Sequence, residues 1–329
     1  MNILVTGGAG YIGSHTADAI EKSGHTAIIY DNLSAGHRWA VGSKTLIEAD
    51  LADKLSIQRT IEQYPIEAVI HFAAHTYVGE SVVDPRKYFQ NNAVNTLNLL
   101  DVMLDLGVKY IVYSSTCATY GVPEELPISE GHPQRPVNPY GESKLFIERV
   151  LQSYEKAYGL RWVALRYFNA AGASGQLGEC HDPETHLIPL AINAALTGIP
   201  LPVFGTDYPT EDGTAVRDYI HVGDLADAHL LALEYLLQQG TSRAFNLGTG
   251  KGHSVREVLQ TVERVSKMAV PYRAAARRPG DPPILVADNR AAIESLGWKA
   301  QRSSLREIVE SAWLWYAKSL NMKGEVSGQ

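Results

Sequence analysis

The feature that most constrains this chain is a glycine-rich turn near its N-terminus, Gly7-Gly8-Ala9-Gly10-Tyr11-Ile12-Gly13. It follows Asn2 to Thr6, a short apolar run that reads as a buried strand, and it precedes a helical pattern. Strand, glycines and helix in that order are the context a dinucleotide fingerprint requires. Gly7, Gly10 and Gly13 let the backbone turn sharply and approach a pyrophosphate, whose charge would meet the free amides and dipole where Tyr11 and Ile12 open the helix. Asp31 closes the second strand, where a carboxylate can accept from both ribose hydroxyls of an adenosine and would repel a 2′-phosphate. The reading therefore favours NAD over NADP. By the same logic Asp50 and Leu51 follow a third strand near the adenine, and Phe72-Ala73-Ala74 follow a fourth beside the pyrophosphate.

Short β-branched runs alternate with longer amphipathic stretches through the first half: Thr26 to Tyr30, Ala68 to Phe72, Tyr110 to Ser114 and Trp162 to Tyr167 join Asn2 to Thr6 as predicted strands. Several are hydrophobic almost throughout, as suits strands covered on both faces. The expected fold class is α/β, a doubly wound parallel sheet (Rossmann) with a smaller C-terminal α/β substrate-binding region. The rhythm changes near Asn169, where Gly- and Ala-rich sequence gives way to Pro-punctuated segments at Gly198 to Pro202 and Pro279 to Pro283. We expect residues 1–170 to hold the dinucleotide and 171–329 mainly to hold the substrate, with a helix near 222–239 packing back on the first domain.

With 45% hydrophobic and 20% charged residues, the 329-residue chain has the composition of a folded globular protein. A net charge of −7 with both signs interspersed offers no basic field for nucleic acid or an anionic membrane. Any anionic ligand must then be met by a few placed Arg or Lys side chains. No apolar run approaches the roughly 20 residues of a membrane span, and the N-terminus opens into a strand and not a leader. A cytoplasmic protein is the expectation. Cys117 and Cys180 are far apart and suggest neither a disulfide nor a zinc site. His71, His75, His181, His186 and His221 lack a metal spacing such as H-E-x-x-H and read as packing or surface residues, so no metal is expected.

Tyr140 and Lys144 lie four apart in a helical stretch, so both project on one face. A phenol titrating near 10 is a poor base, but an ammonium and a positive nicotinamide ring both favour its phenolate. Alone the pair would pass for a solvated helix face. Ser114-Ser115-Thr116 changes that, because hydroxyls after the fifth strand emerge at the carboxyl edge where open α/β sheets bind ligands. Thr116 is the candidate to bond the reacting oxygen while Tyr140 takes its proton.

These motifs, with Asp31-Asn32-Leu33-Ser34, His71-Phe72-Ala73-Ala74, Asn138-Pro139-Tyr140-Gly141-Glu142-Ser143-Lys144 and Arg166-Tyr167-Phe168-Asn169, resemble the extended short-chain dehydrogenase/reductase family. The run Phe204 to Thr214 followed by Val216 to Val222 is similar to its NAD-dependent 4-epimerase branch. That resemblance implies reversible 4-epimerisation of UDP-glucose and UDP-galactose through a 4-keto intermediate with tightly bound NAD, in a homodimer paired through Asn91 to Asp105 and Tyr140 to Tyr158. It adds Asn32, Ser34, Gly36, Thr76, Asn91 and Phe168 to the cofactor site, along with Thr116, Tyr140 and Lys144. For the substrate it implies Asn169, His186, Leu187, Val203, Phe204, Arg217, Arg278, Asp281 and Leu285, again with Thr116 and Tyr140. Thr76 stands where relatives often have Lys, His186 where some have Asn, and Leu285 where side-chain size governs room for an N-acetyl group. N-acetylated or pentose UDP-sugars therefore stay open as substrates. A 4,6-dehydratase is less well supported, since Cys117-Ala118 follows Thr116 where that chemistry needs an acidic pair. A dinucleotide-sensing protein is the non-catalytic alternative, though it has no need of an activated phenol.

Overall fold

The computed structural model describes residues 1–278 and 280–326, so Pro279, the first residue of the second Pro-rich stretch, lies outside the described residues. Six strands come first: β1 (Asn2–Thr6), β2 (Thr26–Asp31), β3 (Thr45–Glu48), β4 (Ala68–His71), β5 (Tyr110–Thr116) and β6 (Arg161–Tyr167). After them come β7 (Asn169–Ala171), β8 (Leu201–Phe204), β9 (Val216–His221), β10 (Arg243–Leu247), β11 (Gly252–Ser254), β12 (Tyr272–Ala275) and β13 (Ile284–Leu285).

The main sheet is seven-stranded and parallel, in the order β10-β6-β5-β4-β1-β2-β3. Strand order reverses between β1 and β4, the switch point at whose carboxyl edge open sheets leave a ligand crevice. Both faces are covered. On one, Ile3, Val5, Ile29, Ile70, Val112 and Leu165 pack with Leu225, Ala228 and Leu233 of the helix Val222–Leu237. On the other, Leu4, Ile28, Val69 and Ile111 pack with Leu99, Met103, Ile147 and Leu151 of the helices Asn95–Asp105 and Pro139–Tyr158. Each such fully buried side chain stabilises the fold by about 1.5–3 kcal/mol, before strain and chain entropy are counted. Alternate residues of a strand therefore serve opposite cores, which is why these strands read as unbroken hydrophobic runs.

The helix Val222–Leu237 and the strand β10 return from the second half of the chain to the main sheet, and that helix packs on the helix Tyr11–Lys22. The remaining segments build a smaller unit. There β9 pairs with β7 and β13 in parallel and with β11 antiparallel, and β8 pairs with β12. Its own core includes Ile188, Ile192, Val203, Tyr219, Val258 and Ile308. Among the described residues no helix is long and apolar enough to cross a membrane.

Candidate active site

The crevice is built first by glycine. Gly7 leaves β1 at φ 70°, and a Cβ there would stand 2.5 Å from the Ala73 amide nitrogen, so the turns after β1 and β4 touch at the switch point. Gly13 is equally constrained, since a Cβ would stand 2.2 Å from the Gly7 carbonyl oxygen. Gly10 is the N-cap of the helix Tyr11–Lys22, with no side-chain cap and no acid in the first turn. The helices Lys54–Gln63, Pro139–Tyr158 and Val255–Ser266 are instead capped by Asp53, Asn138 and Ser254. An uncapped N-terminus at a strand-order reversal presents amides and a positive dipole end to an anion, the donor set a pyrophosphate requires. The main chain of Phe72 and Ala73 donates to the Thr6 carbonyl at 2.8 and 3.1 Å, which holds the opposite wall, with Ala74 following.

Toward the adenosine end, Asp31 is buried and accepts from the Ala9 amide at 2.9 Å and the Leu33 amide at 2.8 Å. Burial raises its pKa, opposed by those two bonds. Each oxygen keeps lone pairs for a ribose hydroxyl. Gly36 packs beside it, its virtual Cβ 3.0 Å from Asp31 Oδ1. Asn32 donates to Asp50 at 2.6 Å and accepts from the Ser34 amide at 3.0 Å, while Leu51 lies in the core beneath. These predicted residues share one rim.

At the reactive end, β5 runs two residues beyond its predicted end, to Thr116, which accepts from the Ala118 amide at 3.1 Å. Asn138 caps the helix Pro139–Tyr158, and Pro139 at its first position prepares the backbone. Tyr140 therefore sits in the first turn, buried, and Lys144 one turn on is 2% exposed. Burial pushes the Tyr140 phenol up to about 12, against a hydrogen bond with Thr116 that lowers it. Burial likewise pushes the Lys144 ammonium down to about 7, opposed by the Glu148 carboxylate. Lys144 Nζ donates to the Ser114 carbonyl at 2.9 Å and lies 5.0 Å from the centre of the Tyr113 ring. The Thr116 hydroxyl is thus near enough to the Tyr140 phenol to influence its acidity. Lys144 shares their face but is anchored on the sheet.

Apart from Thr116 and Tyr140, the predicted substrate residues fall in the smaller unit, on two different sheets and at one helix start. β7 starts at Asn169, whose partner across the ladder is Tyr219, and Leu285 of β13 stands opposite Arg217. Arg217 pairs with Asp281, and the Arg278 guanidinium lies 4.2 Å over the Phe204 ring, with Val203 buried beside it in β8. Asp281 and Arg278 are further joined by an amide-to-carbonyl bond of 3.2 Å. Phe168, at the β6–β7 junction, packs with Cys117 and Leu285, tying the two halves together. Leu187 begins the helix Leu187–Thr197 directly after His186. Thr76 is exposed in the turn after β4, and Asn91 bonds only its neighbour Asn92 among the contacts found for its side chain.

Several supporting residues escaped sequence reading. Asn92 clasps the His75 main chain at 2.8 and 2.9 Å and reaches Ser143 at 3.1 Å, joining the turn after β4 to the helix Pro139–Tyr158. Asp218 accepts from Thr249, Gly250 and Ala287 and fixes β9 next to Arg217. Glu148 meets Arg166 and accepts from Ser115, all buried. His181 and His186 are not scattered side chains as their spacing suggested: the chain bends at Asp182–Pro183 and brings both against Glu179 and Glu184. Burial would push the His186 imidazole down, but the Glu179 carboxylate overrides it and raises it to about 10.

A family model described as the NAD dependent epimerase/dehydratase family matches residues 3–248. The UDP-glucose 4-epimerase of Streptococcus mutans is 50% identical over 324 residues, covering 96% of this chain and 97% of that protein. A crystal structure of the Brucella ovis UDP-glucose 4-epimerase in complex with NAD has 52% identity and a TM-score of 0.93, over 95% of this chain and 97% of that one. The Stenotrophomonas maltophila UDP-glucose-4-epimerase with bound NAD and formylated UDP-arabinopyranose has 39% identity and a TM-score of 0.94, over 98% and 99%.

Proposed function

The chain belongs to the NAD dependent epimerase/dehydratase family, and from that premise we propose that it interconverts UDP-glucose and UDP-galactose with NAD held in the crevice between β1 and β4. The observation that carries this is a buried Tyr140 beside Thr116 at the carboxyl edge of the sheet, in a fold that also offers an uncapped helix N-terminus and, in the smaller unit, the two cations Arg217 and Arg278. The residues present fit both halves of the ligand set. Gly7, Gly10, Tyr11, Ile12 and Gly13 with Phe72, Ala73 and Ala74 would hold the pyrophosphate, Asp31, Asn32, Ser34, Gly36, Asp50 and Leu51 the adenosine, and Thr76 and Asn91 would join the same cofactor site. Phe168 and Lys144 would flank the nicotinamide end. Asn169, His186, Leu187, Val203, Phe204, Asp281 and Leu285 would surround the uridine diphosphate, whose charge Arg217 and Arg278 meet.

When bound, NAD would accept a hydride from sugar C4 and return it. The rest falls to this chain. Tyr140 removes the proton of the 4-hydroxyl as that carbon becomes a ketone, and Thr116, beside the phenol, steadies the oxygen that loses it. Because a phenol raised to about 12 is almost wholly protonated at neutral pH, it needs positive charge nearby, and Lys144 is the side chain placed to supply it. Residues on β9 and β13 grip the nucleotide while the sugar, held by fewer contacts, turns to present its other face. Tyr140 then returns the proton, and the 4-hydroxyl reforms with inverted configuration.

Roles divide in this reading as 1–170 for NAD and 171–329 mainly for the nucleotide sugar, with the helix Val222–Leu237 returned to the main sheet. We place the enzyme in the cytoplasm as a homodimer. Phe146 and Tyr158 on the helix Pro139–Tyr158, and Phe89 and Val94 just before the helix Asn95–Asp105, are exposed apolar side chains on the two elements that would pair. Sedimentation as a monomer at micromolar concentration would remove the dimer. Incubation of the purified protein with UDP-galactose and no added NAD should yield UDP-glucose, settling at one ratio from either direction. No conversion even with NAD supplied would refute the assignment, and conversion only of N-acetylated or pentose UDP-sugars would move it to those substrates.

A further inference from the structure

The segment from Gly172 to His186 crosses between the two halves of the site. Tyr11 Oη donates to the Gly172 carbonyl at 2.6 Å, Ser311 accepts the Ala173 amide at 3.1 Å, and Tyr316 Oη donates to the Glu179 carbonyl at 3.0 Å. His37 Nε2 lies 2.7 Å from the Cys180 carbonyl oxygen. Its end leads straight into the helix Leu187–Thr197. Within that span Glu179, His181, Glu184 and His186 point to one spot, each offering a ligand atom, and all four atoms lie within 4.8 Å of one another.

We propose that this Glu179-His181-Glu184-His186 cluster is a structural site for a first-row divalent cation, Zn²⁺ by its donor set. A tetrahedral site with bonds near 2.1 Å places its ligand atoms about 3.4 Å apart. Glu179 Oε1 lies 3.1 and 2.6 Å from Nδ1 of His181 and His186, and the free Glu184 Oε2 lies 3.9 Å from His181 Nδ1, straddling that value, while His186 Nδ1 is 3.1 Å from the other Glu184 oxygen. Small rotamer adjustments would reach it. Two imidazoles and two carboxylates are a set Zn²⁺ accepts, whereas a cluster of acids alone would attract only loosely held hard cations.

A separate feature also points to a ligand. Glu184 Oε1 receives the amides of Thr185 and His186 at 2.7 and 2.8 Å, which fixes the carboxylate, while Oε2 is buried with no hydrogen-bond partner and lies 3.9 Å from His181 Nδ1. A buried carboxylate oxygen without a partner is costly unless something cationic meets it. Outer contacts are those of a supported site: the Glu179 backbone is held by Tyr316, and the His181 ring packs edge-on to Tyr11 and Tyr77 at 6.3 and 6.1 Å. With four protein ligands the site is closed, so the ion would cross-link the segment and take no part in the chemistry.

The holoenzyme, stripped with EDTA and gel-filtered, is titrated with ZnCl₂ and analysed for retained metal and for melting temperature. We expect about one Zn²⁺ per chain and a higher melting temperature, with His181→Gln and Glu184→Gln each weakening binding by about a hundredfold and abolishing the thermal gain. Loading wild type with Co²⁺ gives a check that needs no variant, because a tetrahedral site shows strong visible absorption and an octahedral surface ion does not. Failure to retain metal at about tenfold molar excess, equal binding by wild type and variants, or an octahedral Co²⁺ spectrum would overturn the site and leave an ion-pair cluster only. Epimerase turnover in the metal-free protein tests the proposed reaction separately, since the ion has no chemical step.

Discussion

Tyr140 and Lys144 show how burial gives ordinary residues unusual chemistry. Neither is held by a direct bond to the other: the Tyr140 phenol lies beside Thr116, and Lys144 donates to the Ser114 carbonyl. Their shared helix face sets the distance, and burial drives their pKa values apart, the phenol up to about 12 and the ammonium down to about 7. Tyr140→Phe removes one hydroxyl and keeps the ring that packs edge-on to Tyr88. We therefore expect retained NAD and UDP binding by calorimetry and a fall in turnover of about 10²–10⁴-fold. Near wild-type turnover would eliminate the phenol as base. Thr116, Tyr140 and Lys144 were legible because strand edge and helix periodicity are local properties. Their altered acidity was not, since it depends on what covers them.

On the scale of single elements, the helix Pro139–Tyr158 carries more of the site than its motif reveals. Asn138, Pro139, Tyr140 and Lys144 can all be read from the chain, and so can the strands β1, β2, β4, β5 and β6 to within two residues. Glu148, one turn beyond Lys144, looks in sequence like a solvated helix acid. In the fold it is 1% exposed, because β6 brings Arg166 against it and β5 brings Ser115. Arg166 also donates to Tyr120, which bonds Asn246 of β10, a strand whose membership in the main sheet the sequence pattern did not announce. Long-range pairing of this kind has no local signature. Glu148→Gln would leave Arg166 and Lys144 buried without their carboxylate, at a cost of about 3–5 kcal/mol in urea unfolding. Glu148→Gln combined with Arg166→Met should recover part of that stability. Because Glu148 holds the Lys144 pKa up, the double variant should lose activity at lower pH than wild type, moving the alkaline limb of its rate profile downward. An unmoved limb would confine Glu148 to packing.

For the molecule as a whole, three histidines folded into the main sheet and its helices set the response to acid. His71 on β4 is fully buried and lowered to about 3 by desolvation, with the Lys144 charge adding to the effect. His15 and His229, on the packed helices Tyr11–Lys22 and Val222–Leu237, are each lowered by desolvation to about 4, against a backbone hydrogen bond that raises them. The Thr96 hydroxyl donates to Asn92, so His71 Nε2 carries the proton that reaches Thr96, and Nδ1 accepts from Thr6. A second proton would break that chain. Each of the three is neutral in the fold and binds a proton near 6.5 once unfolded. Their contribution is therefore complete above about 6.5 and is lost as the pH falls toward 4 and 3, amounting to about 2 kcal/mol each at pH 5. His75 and His221 shift the same way, while His186, raised by Glu179, acts in the opposite sense by a smaller amount over this range. The unfolding midpoint in urea should accordingly fall between pH 7 and pH 5, above the range where most carboxylates begin to protonate. His229→Leu should flatten the slope, because a side chain that packs against Phe72 and Tyr167 without titrating removes one of the three protons. Stability that stays constant from pH 7 to pH 5, or a slope unchanged by that substitution, would show that these imidazoles take up protons without unfolding the sheet they sit in.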